Sequence, residues 1–118
     1  MKNFFTRRVI KNSIYSFNGL ISAFKSEEAF RIEVFLFLIL LPLSFYLGQS
    51  RVEICLLIIS LFIVLITELL NTGLEKTIDR ISKEKNELSG VVKDIGSAAV
   101  FISLLQAVVV WSVILIRQ

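Results

Sequence analysis

Glu68 stands inside a long apolar stretch, in Thr67-Glu68-Leu69-Leu70-Asn71-Thr72-Gly73-Leu74-Glu75-Lys76-Thr77-Ile78-Asp79-Arg80. At about 100° per residue, Thr72 and Asp79 fall roughly 40° and 20° to one side of Glu68, and Glu75 and Asn71 roughly 20° and 60° to the other. Three carboxylates and an amide therefore share one stripe, which descends from membrane depth into a polar segment. A charge at the centre of a bilayer costs about 2.5–3.5 kcal/mol or more, so a carboxylate kept in such a stretch marks a functional site by default. The competing interpretation is a hydrogen-bonding stripe that holds helices together.

A cationic side faces this stripe in Val92-Lys93-Asp94-Ile95-Gly96-Ser97-Ala98-Ala99. Lys93 and Asp94 belong at the level of Glu75, while Ser97 enters the membrane near the depth of Glu68. The small residues 96–99 permit close helix approach. Acids, an amide, a lysine and hydroxyls suit a hard cation such as Mg²⁺ together with a phosphorylated ligand. The plain alternative is a surface ion-pair cluster near helix ends. A nucleotide here would have to be held by metals, Lys93 and Arg8, because GxxxxGK[ST] and GxGxxG are both missing and the five glycines do not cluster.

The elements that must position these groups follow from composition. The chain has 118 residues, 55% of them hydrophobic and 19% charged, with a mean hydropathy of +0.77. Five glycines and one proline exclude linkers and collagen-like repeats, and a single cysteine with no histidine excludes a disulfide scaffold and a Cys/His zinc site. Uncharged runs cover residues 34–50, 54–67 and 95–116. A span needs roughly 20 mostly apolar residues. The runs predict an all-α membrane protein of one domain over 1–118, with spans at 29–50, 52–74 and 92–117. Residues 75–91 are expected as a helix end and loop, and none of the runs is a cleavable signal peptide.

Six cations lie in residues 1–33, only Arg51 lies between the first two spans, five lie in 76–93, and Arg117 is in the tail. The positive-inside rule then places the N-terminus and the 76–93 segment in the cytoplasm and the C-terminus outside, with Trp111 near the outer headgroups. The basic residues track the two membrane sides, which gives no reason to expect nucleic acid as a partner. Residues 1–25 form a fourth element. Val9, Ile10, Ile14, Phe17, Leu20, Ile21 and Phe24 share an arc of about 140°, as in a helix lying in the membrane interface. Ser26, followed by Glu27 and Glu28, is the expected N-cap of the first span. Pro42 is expected to bend that span, and Cys55 to be a small buried hydrophobe.

These blocks make the sequence similar to the prokaryotic diacylglycerol kinase family of small trimeric membrane lipid kinases. The resemblance runs through Glu28-Ala29-Phe30-Arg31 with Glu33, then Glu68-Leu69-Leu70-Asn71 with Glu75 and Asp79-Arg80. It continues in Glu87-Leu88-Ser89-Gly90, Lys93-Asp94 and Gly96-Ser97-Ala98-Ala99-Val100. It implies a homotrimeric bundle in a bacterial inner membrane, moving the γ-phosphoryl group of ATP to diacylglycerol with Mg²⁺. By the same resemblance Glu68 is the general base, and Glu27 and Glu75 hold metal. Arg8, Tyr15, Glu27, Asn71, Glu75, Glu84, Asn86, Lys93 and Asp94 contact the nucleotide, and Arg8, Phe17, Glu68 and Ser97 the lipid. The chain departs from the family's pattern at Phe17, where many members have Trp, at Ile21, where some have Arg, and at Asn86, where many have His; Pro42 is also unusual.

An undecaprenol kinase of the same superfamily is the nearest rival, since it shares the core acids. A non-enzymatic transporter or scaffold using Glu68 as a proton site is the third possibility. The position of Glu68 near one end of its span, continuous with a polar stripe, argues against a mid-membrane proton path.

Overall fold

Long runs of Leu, Ile, Val and Phe broken only by short polar turns leave the backbone one way to satisfy its own polar groups in lipid, the α-helix. A computed structural model of the chain describes residues 2–81 and 87–116. It contains α1 (Lys2–Ser26), α2 (Glu28–Leu47), α3 (Arg51–Ile81) and α4 (Glu87–Ile116). The last three are long and apolar enough to cross a membrane.

α3 is the central helix and packs against both α2 and α4. Its buried residues are Leu57, Ser60, Leu61, Val64, Glu68 and Thr72. Their spacings of three and four are those of one helix face. α4 answers with Gly96, Ser103 and Ile114, and α2 with Phe30 and Ser44. Phe37 of α2 and Phe62 of α3 meet edge to face, with ring centroids 4.9 Å apart. Most other large side chains on α2 and α4, including Phe35, Phe45, Ile102 and Leu105, are exposed. In water that surface would drive association; around three apolar spans it suits contact with lipid or with further helices.

The α2–α3 turn is tight. Gly48 N–H donates to Ser44 O at 3.0 Å. Ser50 Oγ then accepts from Glu53 N–H at 3.1 Å, while Glu53 Oε1 accepts from Gln49 N–H at 3.1 Å. This variant of the capping box starts α3 at once and folds it back on α2. α2 continues through Pro42 as one helix.

The α1–α2 junction differs from expectation. Ser26 does not cap α2; it ends α1, and Glu27 alone separates the helices, with φ −119° and ψ 112°. Glu27 N–H still donates to Ala23 O at 2.9 Å, and its carbonyl already accepts from Arg31 N–H at 3.2 Å. One extended residue serves both ladders, which leaves no room for a separate cap. Arg31 holds the corner from the other side, its guanidinium Nη1 donating to Phe24 O at 2.8 Å and Lys25 O at 3.0 Å. These are terminal carbonyls of α1, and a cation there also complements the helix dipole. Ala23 is the only buried side chain among the described residues of α1. The helix therefore touches the bundle near its C-terminal end and runs out sideways, giving dimensions of 51 × 47 × 23 Å.

Two further expectations are corrected. Residues 87–91, expected as part of a loop, belong to α4, which begins at Glu87; an acid in its first turn complements the helix dipole. Cys55 is exposed on α3, off the helix face that carries Leu57, Leu61 and Val64.

Candidate active site

α3 is 31 residues long, or about 46 Å, against a hydrocarbon core of about 30 Å. Glu68 lies about 26 Å from its start, near the far edge of that core. Its side chain faces the packed side of α3 and the residue is only 5% exposed.

Three other carboxylates lie within electrostatic reach of Glu68: Glu27 at the α1–α2 corner, Glu33 one turn into α2, and Glu75 two turns along α3. Glu33 Oε2 is buried without a hydrogen-bond partner. The one ion pair among the described residues is elsewhere, between Lys93 Nζ and Asp79 Oδ1 at 2.7 Å, tying α4 to α3 at an exposed position. Lys93 also lies within electrostatic reach of Glu75. Four acids in a half-dry site, with no paired cation among the described residues, make a strongly negative locus.

Asn71 completes it. Its Nδ2 donates to Glu75 Oε1 at 3.4 Å, and its Oδ1 is buried with no partner. The amide occupies the notch left by Gly96 of α4, where an added Cβ would overlap Asn71 Oδ1. Gly96→Ala is therefore expected to displace Asn71 and to lower activity at least ten-fold with little loss of fold. Activity and thermal unfolding measured on the same preparation check this; Gly90→Ala, where a Cβ meets nothing within 4 Å, is the silent control.

The donor set fits a hard divalent cation. Among the described residues no three acid, cysteine or histidine side chains converge to cage a metal alone. Magnesium in phosphoryl-transfer sites takes one or two carboxylates, with waters and substrate phosphates completing its shell. Uncompensated carboxylates and the orphaned amide oxygen provide that kind of incomplete shell.

The sequence-predicted residues divide into two groups. Glu27, Glu68, Asn71 and Glu75 come together, with Lys93 at the rim. Arg8, Tyr15, Phe17, Asp94 and Ser97 are exposed, and Arg8 and Tyr15 lie about 28 and 18 Å along α1 from Glu27. Glu84 and Asn86 fall outside the described residues. In the sequence Glu33 stands out only through the family resemblance; its position within electrostatic reach of Glu68 adds it to the candidate site.

The prokaryotic diacylglycerol kinase family profile matches residues 14–115. The diacylglycerol kinase of Haemophilus influenzae is 51% identical over 107 residues, covering 91% of this chain and 91% of the relative. That of Pseudomonas aeruginosa is 43% identical over 110 residues, covering 93% and 89%. That of Escherichia coli K12 is 42% identical over 108 residues, covering 92% and 88%.

Proposed function

The chain belongs to the prokaryotic diacylglycerol kinase family, and on that premise we propose that it phosphorylates diacylglycerol to phosphatidic acid with ATP at the cytoplasmic face of a bacterial inner membrane. The observation that carries this is the burial of Glu68 among Glu27, Glu33 and Glu75 at the edge of the apolar layer. There a lipid hydroxyl from the bilayer meets a polyphosphate from the aqueous side.

In the reaction the primary hydroxyl oxygen of diacylglycerol attacks the γ-phosphorus as its proton passes to the Glu68 carboxylate. The bond from the γ-phosphorus to the β,γ-bridging oxygen breaks, and ADP leaves. The low exposure of Glu68 keeps water from competing as acceptor. Asn71, braced by Gly96 and Glu75, orients the transferred group, and Lys93 offers positive charge at the rim. Glu27 and Glu75 would hold magnesium, which when bound neutralises charge on the phosphates.

The same reading assigns Arg8, Tyr15, Glu84, Asn86 and Asp94 to the nucleotide and Arg8, Phe17 and Ser97 to the lipid. The distance of Arg8 from Glu27 along α1 supports a site completed between subunits of a homotrimer. The distribution of cations supports cytoplasmic placement of α1 and of the α3–α4 connection.

The direct test is purified protein with Mg-ATP and one lipid alcohol at a time. Diacylglycerol is expected to be turned over at least ten-fold faster than undecaprenol. The reverse preference would make the protein an undecaprenol kinase, and no lipid-dependent ADP release would return it to a non-enzymatic role.

A further inference from the structure

About two turns deeper into the bundle than Glu68, α3 and α4 are joined by a second polar cluster that the reaction does not use. Gln106 Nε2 donates to Ser60 O at 2.8 Å across the helices and to Ser103 O at 2.9 Å on its own helix. Trp111 Nε1 donates to Ser60 Oγ at 3.0 Å, and that hydroxyl donates onward to Leu57 O at 2.6 Å. Ser60 is 1% exposed and Ser103 3%. A primary amide inside a 22-residue uncharged run is costly in lipid unless its hydrogens are taken up. Here both are.

Among the described residues, the polar side-chain contacts between α3 and α4 are this cluster and the exposed Lys93–Asp79 pair. Apolar contacts between helices in lipid have no hydrophobic driving force to choose one register over another, so directional polar bonds must choose it. Ser60 and Asn71 are eleven residues apart on α3, and Gln106 and Gly96 ten apart on α4. On antiparallel helices these separations match to within one rise, so both contacts are made in one register. A slip or rotation of α4 would take Gly96 off Asn71 and Lys93 off Asp79.

We infer that Gln106 is a positioning residue for the nucleotide half of the site: its amide holds α4 in register on α3, and so sets Gly96 against Asn71 and Lys93 at the rim. The inference rests on the proposed nucleotide role of Asn71 and Lys93. It assigns Gln106 no contact with any substrate.

The test uses the full chain, purified and reconstituted in bilayers. Gln106→Leu removes both hydrogen bonds at similar volume. It is expected to raise KM for ATP about three- to eighteen-fold, the range of interhelical hydrogen-bond strengths measured in membranes. KM for the lipid should rise by less, because Ser97 is the one residue assigned to the lipid that α4 carries. Trp111 is the only tryptophan, so its emission should shift as its bond to Ser60 loosens. Gln106→Glu, neutral in an apolar interior and able to donate one bond, should recover most of the ATP affinity. Ser60→Ala keeps the carbonyl that Gln106 uses, and should move the emission without moving KM for ATP. If Gln106→Leu fails to assemble, Gln106→Asn, one methylene shorter, carries the same comparison.

A parental KM for ATP in Gln106→Leu overturns the inference, as does an equal rise in both Michaelis constants or a Gln106→Glu variant as impaired as Gln106→Leu. Lys93→Ala locates such a failure. If it raises KM for ATP, the positioning idea alone is wrong; if it does not, the nucleotide assignment beneath it is wrong as well.

Discussion

Glu68→Gln is expected to lower kcat by about 10²–10⁴-fold, the usual contribution of a general base, equivalent to about 3–5 kcal/mol of barrier. The substitution is nearly isosteric. It keeps an amide in the same buried space and removes only the ability to accept the proton of the attacking hydroxyl. Affinity for Mg-ATP and oligomer formation should stay close to the parent's, because the acids assigned to the metal are untouched. Thermal stability should hold or rise, since the repulsion of Glu68 with Glu27, Glu33 and Glu75 is removed. Lost turnover with retained stability separates catalysis from a structural hydrogen-bonding role, for which stability would fall with activity. Near-parental kcat in Glu68→Gln would end the base assignment.

Glu68 is legible in the amino-acid sequence for an energetic reason. A carboxylate in a stretch of Leu, Ile and Val carries a cost that must be offset, and helical periodicity then puts Glu75 on its face. The same periodicity locates α1 and all three spans, because chain in lipid has no other regular way to satisfy its backbone. What periodicity misses is contact between helices. Glu33 comes within electrostatic reach of Glu68 across the α2–α3 interface, and Gly96 makes the notch for Asn71 across α3–α4; neither relation is a spacing along one chain. Helix ends are also poorly legible. Glu27 is shared by two hydrogen-bond ladders, so a search for a capping side chain settles on Ser26, one residue early. Trp111 shows a third limit. An amphipathic ring near a span's end is expected to turn its N–H to headgroup water, but here the bond goes inward to Ser60. Hydropathy cannot supply that direction, which depends on a hydroxyl 51 residues away.

Glu75→Gln separates charge from geometry at the proposed magnesium site. Glu75 does two things: its Oε1 accepts from Asn71 Nδ2, and its negative charge joins that of Glu27 and Glu68. Gln keeps a carbonyl oxygen where Oε1 stood, so Asn71 keeps its acceptor while the charge is lost. Outer-shell partners of bound metals already contribute about 10–100-fold to metal affinity, and a direct ligand should contribute no less. KM for Mg-ATP is therefore expected to rise at least ten-fold, with activity partly recovered at high free Mg²⁺. Glu75→Asp makes the opposite cut: it keeps the charge but draws the carboxylate back by one methylene, away from a hydrogen bond already 3.4 Å long. Its Mg²⁺ requirement should stay nearer the parent's, while kcat falls as Asn71 loses its brace. Titrating Mg²⁺ at fixed ATP for both variants reads the two effects apart. If Glu75→Gln keeps the parental Mg²⁺ requirement, the carboxylate serves Asn71 alone, and the metal must be held from Glu27 and the phosphates.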